Sequence, residues 1–144
     1  MKKYIYLPLL TMVLISFMGA CKKKNDPTPQ PPTIADKIVG DWKATKLVID
    51  GTDVTAVFSC LTDDIITYKA DGTYSEVVGA NKCEDDETNE SGSWKVSTEG
   101  GKDILTTTSG GTSEQATILS LDAKTMVVSL TNGAIVLEAT FSKQ

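Results

Sequence analysis

The chain of 144 residues contains no histidine and no arginine. The first absence removes the commonest general base, the commonest neutral-pH switch and the commonest zinc ligand. The second removes the side chain best shaped to grip phosphate. From Thr33 to Gln144, nine lysines stand against eighteen Asp and Glu, a formal charge of −9. Such a surface repels a polyanion, so no nucleic-acid partner is expected. Serine and threonine are plentiful, as in "TTTSGGTS" from Thr106, but no base is placed beside them. Asp85 and Asp86 are adjacent, so their side chains diverge in an extended strand. There is no Cys-x-x-Cys for redox chemistry. The expectation is a protein that is not an enzyme and that carries no cofactor. Proline is concentrated: four of its five copies lie in residues 22–33, and none follows.

What is present begins with an address. Lys2 and Lys3 precede a mostly apolar run, Tyr4 to Phe17, and Gly19 and Ala20 are small. This is the layout of a signal peptide over residues 1–20. It is short for a membrane span, which needs about 20 apolar residues. Cys21 follows "MGA" directly, which resembles the lipobox of bacterial lipoproteins, with Met18 where Leu is usual. The resemblance implies cleavage before Cys21 and acylation of its thiol by palmitate-like chains. A plain secretory signal with a chance cysteine, or an uncleaved anchor, are the alternatives. Several acyl chains hold a protein firmly, since each buried methylene adds ~0.8 kcal/mol. In the sorting rule of enteric bacteria an Asp after the cysteine implies inner-membrane retention. Lys22 therefore points to the outer membrane, with its periplasmic and surface faces both open. Residues 21–33 read as a lipid-anchored flexible linker, too polar and proline-rich to fold.

Residues 34–144 are the right length for one domain. Cys60 and Cys83 remain after Cys21, and two cysteines in an exported domain read as a disulfide. The alternative is a pair of buried free thiols. Short runs rich in β-formers alternate with turn signals. "TIADKIVG" suits one helical turn, and "DVTAVFSCL" from Asp53 suits a short helix capped by that aspartate. "DIITYKA" and "TYSEVVG" flank Asp71-Gly72, a hairpin signal. Cys60 lies eleven residues before Asp71 and Cys83 eleven after Gly72, so both reach the open end of that hairpin. In all there are eight strands with tight connections, hence an antiparallel meander. With no amphipathic helix to cover a sheet, the edges are best hidden by closure. The expected fold is all-β: an eight-stranded up-and-down barrel with a short N-terminal helical turn and one short helix. An open two-layer sandwich is the alternative. Alternation places Ile135, Leu137, Ala139 and Phe141 on one face of the last strand, and Met126, Val128 and Leu130 on one face of its neighbour. Trp42 with Ala44, and Trp94 with Val96, follow the same scheme.

Gly40-Asp41-Trp42 matches the Gly-x-Trp signature of lipocalins at the start of the first strand. The order of lipobox, spacer, Gly-x-Trp, a cysteine, "DGTY", a second cysteine and a second Gly-x-Trp at Gly92 resembles the lipocalin-like domain of short Gram-negative lipoproteins. In lipocalins the tryptophan packs across the closed end of the barrel against a basic residue from the last strand. With no arginine, that partner here has to be a lysine, with Lys143 as the candidate. The resemblance implies a carrier of a small apolar molecule, possession of a preformed cavity, and attachment to the membrane through the lipid. A filled barrel acting as an envelope interaction module is the alternative, and a small barrel permits either. Candidate ligand contacts are Trp94, Tyr68 and Tyr74. The acidic run "CEDDETNESG" offers Asp85, Asp86 and Glu87 as candidate Ca²⁺ ligands of a calcium-stabilised module, or simply a solvated loop. A monomer is expected.

Overall fold

The computed structural model describes residues 31–144. The leader, Cys21 and most of the spacer lie outside the described residues. Thr33, at the end of the spacer, is the N-cap of a short helix, α1 (Ile34–Ile38). Its hydroxyl accepts from the Asp36 amide at 3.2 Å, and its own amide donates to the Asp36 carboxylate at 2.8 Å. This reciprocal capping box satisfies donors that a helix start leaves free.

Nine strands follow: β1 (Gly40–Ile49), β2 (Thr52–Asp53), β3 (Ile65–Tyr68), β4 (Thr73–Val77), β5 (Glu90–Glu99), β6 (Lys102–Ser109), β7 (Thr112–Leu121), β8 (Thr125–Asn132) and β9 (Ile135–Lys143). The two-residue β2 is a stub on the end of β1. The other eight run β1-β3-β4-β5-β6-β7-β8-β9, all antiparallel, and β9 pairs back onto β1 to close the barrel. Closure leaves none of the eight with a free edge. The predicted strands all form, and their turns join neighbours as the turn residues require. At Gly110-Gly111, for example, both residues have positive φ (55° and 85°), which suits the twist of a two-residue hairpin.

One predicted element differs in kind. The stretch expected as a short helix after Asp53 is a turn followed by a single 3-10 turn over Ser59–Thr62. Asp53 does not cap an α-helix. Its carboxylate accepts from the Thr55 amide and hydroxyl at 3.0 and 2.7 Å, closing an Asx turn. Those bonds hold the Asp53 carboxyl below its usual range.

The core is the barrel interior. Trp42, Ala44, Leu47, Tyr68, Trp94, Leu105, Met126, Val128 and Ala139 are buried there. Ala44 and Leu47 are an odd number of residues apart yet both point inward. A bulge between Ala44 and Lys46 resets the alternation. A second register shift, between Ile118 and Ser120 in β7, leaves Leu119 on the outer surface. Ile135, expected on the inner face, sits at the end of β9 and is exposed.

Candidate functional site

The two ends of the barrel are built differently. At the α1 end, the indole N–H of Trp42 donates to the Ile38 carbonyl at 2.6 Å. The Lys143 ammonium stands 5.1 Å from the Trp42 ring centroid and donates to the Lys37 carbonyl at 2.9 Å. Two of the carbonyls that α1 leaves unpaired at its C-terminus are thus met by an indole and a cation. Gly40 permits this arrangement. Its φ is +133°, and a Cβ there would lie 2.5 Å from Lys143 Cε. Trp42 and Ile38 have no exposure, so this end is plugged. The expected stack of Lys143 on Trp42 is present.

Toward the other end lies a cavity of about 610 Å³. Its floor and walls include Tyr68, Tyr74, Leu105, Met126, Val128 and Phe141. Glu76, Glu90 and Glu114 also face it. Tyr68 and Tyr74 are in-register partners across β3 and β4, with ring centroids 6.2 Å apart. Burial, followed by the nearby Glu76 charge, pushes the Tyr68 hydroxyl far above the usual phenol range. Burial, then the neighbouring Asp64 and Glu90 carboxylates, pushes Glu76 up as well.

Of the three aromatic residues expected to contact a ligand, Tyr68 and Tyr74 line the cavity and Trp94 does not. The Trp94 ring meets Tyr68 edge-on at 5.3 Å, and its indole N–H donates to the Lys69 carbonyl at 2.9 Å. The ring is committed to the β3–β4 turn, which corrects its assignment as a ligand contact. Gly92 is the third residue of β5. A Cβ there would overlap the Thr108 carbonyl and approach the Tyr74 ring to 2.9 Å, so glycine lets β6 and Tyr74 close in.

The loop between β4 and β5 borders the mouth. Cys60 and Cys83 form a disulfide with Cα atoms 5.2 Å apart, tying this loop to the 3-10 turn as the hairpin geometry predicted. Asp64 accepts from the Gly79 amide at 2.7 Å, and Asp63 accepts from the Asn81 amide at 3.0 Å. Glu87 accepts from the Cys83 amide at 2.8 Å. Glu87 therefore acts as a loop clamp, while Asp85 and Asp86 stay exposed. Among the described residues, no three carboxylates or thiols converge on a position that would hold a metal ion.

The sequence model of a family described as a lipocalin-like domain matches residues 38–128. The chain belongs to this family. A protein of the DUF4847 family from Bacteroides vulgatus ATCC 8482, known from a crystal structure, is similar at 13% identity, with 74% of this chain and 95% of that chain covered and a TM-score of 0.48. No curated protein matches the chain. In this lipocalin-like barrel the matched region opens at the plugged end, with Ile38 and Trp42, and runs through the β8 residues that wall the cavity. Sequence reasoning missed Glu76 and Glu114, and it read Glu90 only as part of the acidic run, not as a cavity residue. A signal was available: Glu76 and Glu114 stand two positions from buried Tyr74 and Ala116, hence on the same strand face.

Proposed function

We propose that this lipocalin-like protein is a lipoprotein of the cell envelope, anchored to the outer membrane through Cys21, and that its barrel carries a small hydrophobic molecule without acting on it chemically. The cavity of about 610 Å³ is the observation that supports carriage. It falls in the ~300–1,000 Å³ range of small-molecule sites. An apolar ligand entering it leaves water at a gain of roughly 25 cal/mol per Å² of buried apolar surface. The plug closes the α1 end of the barrel, and the disulfide ties down the loop that joins Glu76 to Glu90 at the cavity mouth, so little ordering accompanies binding. The anchoring part of the proposal rests on the leader and on Cys21.

Native mass spectrometry of protein extracted from its own envelope tests both parts. The expected result is a mass raised by acyl chains, a co-purified ligand, and binding of an apolar fluorescent probe once that ligand is stripped. An unmodified Cys21 removes the anchor. An interior that yields no molecule and takes up no probe removes the carrier.

A further inference from the structure

The β4–β5 register sets Glu76 directly opposite Glu90. Glu76 shares a strand face with Tyr74 and is half-buried, and Glu90 shares one with Trp94 and stands exposed at the rim, so both carboxylates border the cavity mouth. Like charges placed opposite each other on one face oppose folding. Glu114, on the Ala116 face of β7 and likewise exposed, adds a third carboxylate at the same rim. Among the described residues no cationic side chain pairs with them. No lysine contributes to the wall. Among the described residues the one ion pair joins Lys46 to Asp53 on the outer surface. Lys82, in the loop beside the mouth, donates instead to the Glu87 carbonyl at 2.8 Å. Deeper in, Tyr68 is only 5% exposed, and its hydroxyl lines the cavity without a hydrogen bond among the described residues. The cavity therefore presents an apolar floor, an unpartnered phenol and, at its mouth, three acceptor carboxylates.

We infer that the cavity takes a cationic amphiphile, a molecule with an apolar tail and an ammonium head, with the tail on Leu105, Met126 and Val128 and the head among Glu76, Glu90 and Glu114. The inference rests on the carrier reading above and adds the chemical class of the ligand. An ammonium would give each carboxylate its missing counter-charge through charge-assisted hydrogen bonds. The tyrosine faces favour a cation as well. A fatty acid carboxylate would meet three like charges and no donor cation, so this wall selects against the commonest lipid head of the same size.

Calorimetric titration of the full chain with probes sharing one alkyl tail tests the assignment: decylammonium, decanoate and decanol. Decylammonium is expected to bind more tightly than decanoate by about tenfold or more. Glu76→Gln and Glu90→Gln should each weaken decylammonium several-fold and leave decanol unchanged. Glu138→Gln, which removes an exposed charge from the outer face of β9, should leave both unchanged and so separates the local effect from net charge. Equal or tighter binding of decanoate, or indifference of decylammonium to both cavity substitutions, overturns the charge assignment and leaves the carrier reading standing. Failure of all three probes to bind overturns the carrier reading, and this inference with it.

Discussion

At the α1 end of the barrel, the Lys143 ammonium meets a carbonyl oxygen and the Trp42 ring, and the Trp42 indole N–H meets another carbonyl. At the other end, Glu76 faces Glu90 across two strands, and no cation answers either of them among the described residues. Both ends belong to one continuous antiparallel sheet. They differ in whether polar groups are satisfied by the fold. A satisfied, dry end contributes stability. An end that sets carboxylate opposite carboxylate is less favourable until a partner supplies the counter-charge. Local departures from stable design concentrate where a protein binds, because the partner supplies the missing interactions. The difference between the ends thus argues for function at the acidic one, independently of family resemblance.

Three substitutions probe that difference, in falling order of expected effect. Trp42→Ala empties the plug and should lower unfolding free energy by about 3–5 kcal/mol, the usual range for a large buried aromatic. Urea denaturation measures it. A loss below about 1 kcal/mol would mean that the α1 end is held by strand pairing alone. Replacing both Cys60 and Cys83 by Ser releases a loop of sequence separation 23. Chain entropy puts the cost at about 3 kcal/mol. A melting temperature unaffected by reducing agent would show instead that the Asp63 and Asp64 hydrogen bonds hold the mouth without the bridge.

Glu76→Gln is the smallest effect and has the opposite sign. Removing one of two opposed charges should raise stability by about 0.2–1 kcal/mol at neutral pH. The pH dependence follows from the direction of the shift. Burial and the surrounding Asp64, Glu90, Glu87 and Glu114 raise the folded-state pKa of Glu76 above its unfolded value. The native state therefore holds this proton more tightly, and the associated stability is present at low pH and lost as pH rises through the folded pKa. The advantage of Gln over Glu should be nearly absent at about pH 4 and fully developed by about pH 8. A melting-temperature difference that stays constant across that range would show that Glu76 is solvated and uncoupled. Asp36 and Asp122 run the other way. Their hydrogen bonds to Thr33, and to the Lys124 and Thr125 amides, lower their pKa values, so their contribution is lost as pH falls through those values.

The strand order was legible because each turn residue pair and each alternating run is a local signal, and a meander needs nothing more. The Cys60–Cys83 bridge followed from equal spacing about one hairpin. Lys143 was legible as the partner of Trp42 because the chain has no other kind of strong cation to offer. The bulge at Thr45 was not legible, since "DWKATKLVID" alternates plausibly without it; closure of β1 onto β9 inserts the extra residue. Trp94 looked like a ligand contact because it is large and inward, yet the β3–β4 turn claims its indole. Glu90 read as one more charge in a solvated acidic run. Pairing with β4 lengthens β5 by two residues beyond Gly92 and carries Glu90 to the cavity rim.

By itself the sequence determined the class of fold, the number and order of barrel strands, the disulfide and the plug, because these depend on periodicity, turn chemistry and residue supply along the chain. Only the tertiary structure decided that the barrel holds a cavity, that its tyrosines line it while Trp94 does not, and that three glutamates from three strands share its mouth. Those outcomes depend on register between segments distant in sequence, and a one-residue shift of β4 against its neighbours would turn the half-buried Glu76 away from the cavity.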